Sequence, residues 1–390
     1  MSAPFQVGGE VEPPYFIGRD DVLSEVLRGI SSLSQNYLIV GPRRTGKSSL
    51  LKNVEMRLVK RKDILVININ CMEVTTYLEL LKLVTENLLS SYERRHKAKG
   101  FVEVFKKSLT DSIINVMHRI EKIGGSVQNV VEGYISFRER QIDEHELARK
   151  TFDFITEFAM EKNVKIVVIF DEFQRTADFD GYLFNLLKSK TDRAKAVRYI
   201  FSGSSLSILQ KVFLQPNSPL YLMATRINIG PLEVTDIKKF ISKRLAEFNM
   251  KIEEEAINSI CELTSGIPFY FQKLGDICYR NAIMNKKKTI KNKDVILGFN
   301  EMLAEFDSEF EMRFEHSFSN KQQRILKALS TKESMRVSEI AYAMDLSVNE
   351  LGKDIKLLRD SLTLNRIERG RYELVDGVFR AWLSKGYKNI

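Results

Sequence analysis

The sequence predicts an α/β fold: a three-layer parallel sheet, then a helical lid domain, then a C-terminal winged helix-turn-helix. Three observations carry this expectation. Over residues 16–232, short apolar runs alternate with stretches of helical spacing, the pattern of a parallel sheet with helices on both faces. From 233 to 316 the strand patterns stop and helical spacing continues alone. Residues 317–390 hold three short amphipathic helices and then two short runs turning at Gly370, which reads as a hairpin.

The elements follow in order. Residues 1–15 are a polar lead-in with Pro13-Pro14. Strands are expected at 37–40, 64–68, 166–170, 197–201 and 226–229, where β-branched and aromatic residues cluster. Between the second and third lies a long helical insertion, about residues 77–163. Its apolar positions Phe105, Leu109, Ile113 and Val116 recur at helical spacing and read as core. The basic run at 94–99 reads as a solvated helix end. The later helices are expected at 236–248, 253–264, 268–284 and 294–310, then at 320–330, 337–344 and 349–362, with a closing helix at 378–383.

The first strand runs into Gly41-Pro42-Arg43-Arg44-Thr45-Gly46-Lys47-Ser48-Ser49 and then into a helix. The spacing satisfies G-x-x-x-x-G-K-[ST] in full. Glycines let backbone wrap a phosphate, and loop N–H groups with a helix N-terminus supply partial positive charge. Lys47 can reach the β- and γ-phosphates of a nucleotide, and the Ser48 hydroxyl can ligate Mg²⁺. The third strand is an apolar run ending in Asp171-Glu172. Carboxylates at a buried strand end are costly unless used. Asp171 suits Mg²⁺, directly or through water, and Glu172 suits polarising the attacking water. A paired Asp-Glu favours hydrolysis over passive binding. These two halves make the sheet a P-loop ASCE arrangement. In such enzymes the strand beside the acidic one carries a polar residue facing the γ-phosphate. Ser202 and Ser204 are both candidates, and either could equally cap the helix beginning near Ser205.

Together, Phe16-Ile17-Gly18-Arg19-Asp20, GPRRTGKSSLL, FDEFQR and the later Gly266-Ile267-Pro268 resemble the archaeal ATPase family. These are P-loop ATPases of the STAND type, related to AAA+ proteins and origin-recognition initiators. The resemblance covers nearly the whole chain and is weakest in the middle. It implies that Ile17, Gly18 and Arg19 lie near the base and sugar of ATP or ADP, and that Pro268 approaches the adenine. Asp20 replaces the family's glutamate, and Val22 stands where many members have a second acid. Ser204 occupies the place of an arginine after the fourth strand, so that arginine's sensing role does not carry over. The AAA+ relationship also implies an arginine reaching the site of an adjacent subunit, for which Arg193 and Arg198 are the candidates.

Composition sets the remaining bounds. The chain has 390 residues, enough for two or three cored domains. Cys71, Cys261 and Cys278 are too few and scattered for a disulfide framework, which fits a reducing cytoplasm. The four histidines are far apart, without metal-ligand spacing. The first sixteen residues lack the pattern of a signal peptide, and no apolar run approaches the roughly 18–20 residues of a membrane span. Charged residues, mostly Lys and Glu, make up 28% of the chain, a weak pointer to a thermophile. Net charge is +9, and residues 321–388 carry 14 Lys and Arg against 9 Asp and Glu, so +5 of the excess lies in the tail. Lys353, Lys356 and Arg359 fall roughly on one face of the third tail helix, and Arg369 and Arg371 flank the hairpin tip. Such charges can neutralise the phosphates of double-stranded DNA. Asp354 and Asp360 sit among them, and winged helices also dock proteins, so both roles stay open. Trp382, in the closing helix, reads as a packing anchor.

Overall fold

The alternating apolar residues of five short strands sort onto two faces of one sheet, and that sorting builds the three layers. The structure, a computed structural model, describes residues 3–97, 100–109, 125–179, 181–193, 195–204 and 206–385. In chain order the first part comprises α1 (Asp20–Ser31), β1 (Tyr37–Val40), α2 (Lys47–Leu58), β2 (Ile64–Asn70), α3 (Tyr77–His96), α4 (Phe101–Ser108), α5 (Gly125–Arg138), α6 (Glu144–Glu161), β3 (Lys165–Asp171), α7 (Tyr182–Arg193), β4 (Val197–Gly203), α8 (Leu206–Phe213) and β5 (Thr225–Asn228). All five strands are parallel, in the order β2-β3-β4-β1-β5.

Side chains alternate across a pleated strand. Tyr37, Ile39, Ile64, Val66, Val167, Ile169 and Ile200 therefore share one face with buried residues of α1 and α2. Leu38, Val40, Leu65, Ile67, Val168, Phe170, Tyr199 and Phe201 take the opposite face, under α3, α5 and α6. The helical insertion is thus the second outer layer. Within it Phe105 is buried and Leu109 partly so, as the spacing implies, while Ile113 and Val116 lie outside the described residues. The same holds for Lys99 in the basic run and for Ser205 at the expected helix start.

The chain continues through α9 (Val234–Glu247), β6 (Lys251–Ile252), α10 (Glu254–Thr264), α11 (Pro268–Met284), β7 (Thr289–Ile290), α12 (Asn292–Glu305) and α13 (Asp307–Ser317). The parallel β6–β7 pair is an addition to the all-helical expectation for this stretch. A helix expected over 294–310 is instead two, divided at Phe306. Last come α14 (Asn320–Ser330), β8 (Met335–Arg336), α15 (Val337–Met344), α16 (Val348–Asp360), β9 (Leu364–Glu368), β10 (Arg371–Leu374) and α17 (Gly377–Ser384). Their strands form an antiparallel sheet, β8-β10-β9, with Gly370 at φ +78° in the turn.

One apolar cluster runs from Leu232 in front of α9 to Leu383 in α17. Phe310, Phe314 and Phe379 surround Trp382 within it, with ring centroids 5.3–6.1 Å apart among the contacts of Phe310, Trp382 and Phe314. The indole N–H donates to Asp307 at 2.7 Å. Phe5 joins the same cluster, tucked against Phe240 and over Gly275. No helix among the described residues is long and apolar enough to cross a membrane.

Candidate active site

β1 and α2 present their joining loop at the carboxyl edge of the sheet, where ligands of open parallel sheets bind. Position 41 must be glycine: a Cβ there would meet the Ile229 carbonyl oxygen at 2.1 Å. Gly46 sits at φ +90° and precedes α2 with no side-chain cap. The first-turn N–H groups of α2 are therefore open to an anion. Thr45 closes the loop on itself through a 2.8 Å bond to the Pro42 carbonyl. The Lys47 ammonium donates to the same carbonyl at 2.9 Å. Burial pulls the Lys47 pKa down, opposed by the Glu172 and Asp171 carboxylates.

The acids at the end of β3 face this loop. The Ser48 hydroxyl donates to Asp171 Oδ2 at 2.6 Å, so two hard oxygen donors meet at one point. That pair fits Mg²⁺, which binds through one or two carboxylates and oxygen donors and keeps several waters. Among the described residues no cluster of three or more His, Cys, Asp or Glu could hold a metal otherwise. Glu172 sits in the left-handed region at φ +52°. Its Oε2 accepts hydrogen bonds from the Gln174 amide and, at 3.1 Å, from Ser204 Oγ. Ser202 is fully buried in β4, and its hydroxyl has no hydrogen-bond partner among the described residues. Cys71 lies close by, but burial and the two carboxylates push its pKa up, so the thiol stays protonated.

A cavity of about 330 Å³ lies between this loop and the helical region. The loop residues Arg43, Arg44, Thr45, Gly46, Lys47, Ser48 and Ser49 line it, together with Ile17, Arg19 and Pro268. Pro268 opens α11, and its Cγ is 3.9 Å from where a Gly46 Cβ would stand. Gly18, at φ +64°, packs on Leu232 and Asp236. Arg19 donates to the Gly230 carbonyl, and burial lowers its pKa. Ile17, Arg19, Pro268, Glu172 and the loop from Arg43 to Ser49 thus share one cavity, Asp171 lines an adjoining one with Ser48 and Glu172, and Gly41 and Pro42 line another with Gly230 and Leu364.

Sequence reasoning missed the first fifteen residues, which it treated as a lead-in. Gln6, Gly8, Gly9, Val11 and Tyr15 also line the cavity. This strap is tied at both ends. The Gln6 N–H donates to Gln272 Oε1 at 3.0 Å on α11. The Val11 N–H donates to Ser49 Oγ at 3.1 Å, and Asn53 returns a 2.9 Å bond to the Val11 carbonyl on α2. Arg244 of α9 holds the Pro4 and Ala3 carbonyls. The only forewarning in the sequence was Gly8-Gly9, both at positive φ.

The five tail cations, three on α16 and two flanking the turn at Gly370, differ in their pairing. Lys353, Lys356 and Arg369 are exposed and make no ion pair among the described residues. Arg359 pairs with Asp360 at 3.5 Å, and Arg371 with Glu368 at 3.0 Å. The end of α16 meets α8, and Leu362 packs against the cluster beneath the sheet. Arg198 is the second residue of β4, at the end of that strand away from the phosphate loop, and the Arg193 side chain lies outside what is described.

Residues 16–274 match the model of an ATPase domain predominantly from Archaea. The chain belongs to this archaeal ATPase family. It is therefore an ATP-binding, ATP-hydrolysing enzyme, as the loop and the Asp-Glu pair imply. Among solved structures, the Walker-type ATPase PABY2304 of Pyrococcus abyssi is similar at 20% identity and a TM-score of 0.66, over 97% of this chain and 99% of that one. The ORC2 protein of Aeropyrum pernix, in ADPNP–ADP complexes, is similar at 12% identity and a TM-score of 0.59, over 97% of this chain and 96% of that one. At these identities the likeness speaks for the fold. No curated protein matches the chain.

Proposed function

We propose that this archaeal ATPase is a nucleotide-driven switch whose C-terminal module contacts double-stranded DNA. The observation that carries the switch is the cavity walled on one side by the phosphate loop and on the other by α11. A ligand that touches both walls favours one angle between them, and hydrolysis changes that preference. On this reading residues 16–232 are the ATPase core, 233–316 a lid and 317–390 a winged helix, with the strap of residues 3–15 crossing from core to lid.

Each residue then has a role. Lys47 and the loop N–H groups hold the β- and γ-phosphates. Ser48 and Asp171 hold Mg²⁺, which when bound neutralises phosphate charge. Glu172, oriented by Ser204 and Gln174, positions the attacking water. Ile17, Gly18, Arg19 and Pro268 surround the base and sugar. Lys353, Lys356 and Arg369, which make no ion pair among the described residues, would meet DNA phosphates, and Arg359 and Arg371 would first have to leave their carboxylates.

A second reading, a STAND-type scaffold whose tail docks protein, has one observation in its favour. The end of α16 is already packed against the ATPase core, which narrows the room for DNA along that helix. The deciding experiment is ATPase activity of the full chain with and without duplex DNA, across salt. Stimulation that fades with salt supports DNA contact, since each neutralised phosphate contributes a slope of about −0.9 to log affinity against log salt. Activity indifferent to duplex, with no binding at low salt, favours the scaffold.

A further inference from the structure

Arg44, in the phosphate loop at φ +70°, is joined to the last helix of the chain by a continuous set of polar contacts. Its Nη1 donates to the Tyr270 phenol oxygen at 2.6 Å. Its Nη2 donates to both oxygens of Glu309 at 2.6 Å. The guanidinium lies 4.8, 5.1 and 5.0 Å from the ring centroids of Phe269, Tyr270 and Phe306. The Tyr270 hydroxyl in turn donates to Asp376 Oδ2 at 2.9 Å. Arg313 donates to that same oxygen at 3.0 Å. The other Asp376 oxygen accepts the Phe379 N–H at 2.9 Å and caps α17.

The chemistry fits a relay. A phenol has one hydrogen to give and lone pairs to receive with. Here the hydrogen goes to Asp376 and the lone pairs take Arg44. Tyr270 is fully buried, and burial together with Asp376 raises its pKa, so it keeps that hydrogen. Two cations, Arg44 and Arg313, face two carboxylates, Glu309 and Asp376, so no charge in the set is left without a counterpart. Tyr270 is also the third residue of α11, two positions beyond Pro268 of the cavity wall.

We propose that Tyr270 is a positioning residue for the phosphate loop, linking nucleotide affinity to the seating of α17 through Arg44 and Asp376. The proposal rests on the reading of this loop as the nucleotide-phosphate site. Nucleotide held by the loop and the cap of α17 held by Tyr270 of α11 bias the same set of bonds, and such coupling is reciprocal. Whatever a partner does to the C-terminal module is therefore felt at Arg44.

The test is titration of fluorescent ADP into the full chain, for wild type, Tyr270→Phe, Asp376→Asn and the double variant. Tyr270→Phe keeps the ring beneath Arg44 and removes only the hydroxyl. Asp376→Asn keeps a good helix cap but puts an amide N–H2 donor where the oxygen accepted Tyr270 and Arg313. Each single variant is expected to weaken ADP binding about fivefold or more and to raise KM for ATP, with kcat changed less. The double variant is expected to be no weaker than the worse single, because both cut one chain of contacts. Thermal unfolding without nucleotide checks that each variant folds, and Arg44→Lys, which keeps charge but loses the fork, serves as a further variant. Wild-type affinity in both singles, or losses that simply add in the double, overturns the proposal. A wild-type chain that binds no ADP overturns the nucleotide reading, and the relay with it.

Discussion

The Ser204 hydroxyl donates to Glu172 Oε2 at 3.1 Å, across the gap between β4 and β3. Glu172 holds a left-handed backbone and is bonded on the same oxygen by Gln174. The carboxylate is thus aimed by two side chains, one from each flank. Removing the hydroxyl in Ser204→Ala is expected to lower kcat by about ten- to a hundredfold, the worth of one hydrogen bond to a charged group, with KM little changed. Ser202→Ala removes a buried hydroxyl without a partner among the described residues and is expected to be neutral or slightly stabilising. Steady-state kinetics and thermal melts of the two variants separate the candidates.

Lys47→Ala is expected to abolish ATP binding, measured by calorimetry. Glu172→Gln is expected to keep binding and cut turnover by about 10²-fold or more, as for loss of a water-positioning base. Chelation of divalent cations is expected to stop hydrolysis, and Ser48→Ala to raise the Mg²⁺ concentration needed for half-maximal rate. A Glu172→Gln enzyme that turns over at the wild-type rate sinks the assignment of that glutamate.

ATP-loaded and ADP-loaded protein are expected to differ in small-angle scattering, because the cavity walls belong to different parts of the chain. Gly275→Ala offers an internal control. A Cβ there would meet the Phe5 ring at 2.6 Å, lifting the strap and costing about 1–3 kcal/mol of stability, as overpacking does. The expected result is a smaller difference between the two profiles than in wild type. Identical wild-type profiles at full occupancy would remove the lid switch.

Hydrolysis is proposed to need a neighbouring subunit, with Arg193 or Arg198 completing the site in trans. A cation at the γ-phosphate stabilises the charge that develops there. Specific activity should then rise with protein concentration, and mixing Arg193→Ala with Lys47→Ala should restore part of it. Activity per subunit that stays flat over a hundredfold dilution, with no rescue, means the site is complete in one chain.

The parts legible in the sequence are those whose causes are local. Val40, Gly41, Gly46 and Lys47 fix strand, turn and helix within a dozen residues, since pleat period, positive φ and helix start are backbone properties read from neighbours. The same holds for β3 ending in Asp171-Glu172, and for α14, α15 and α16 with the turn at Gly370, each given by periodicity. The break at Phe306 and the β6–β7 pair escaped, because two-residue strands have no period to detect.

Sequence alone determined the sheet, the chemistry of the phosphate loop and its acids, and hence the enzyme class. Tertiary structure decided what surrounds them. Gln6 meets Gln272 across 266 positions, Arg44 meets Glu309 across 265, and Tyr270 meets Asp376 across 106. Polar residues of this kind carry no hydrophobic period, so nothing in their neighbours along the chain announces a partner. Their partners are chosen when the apolar clusters close: once Phe5 and the α11 face are buried, the strap and the phosphate loop are brought within reach of α11. Buried polar groups must then find hydrogen bonds at whatever positions the packing supplies.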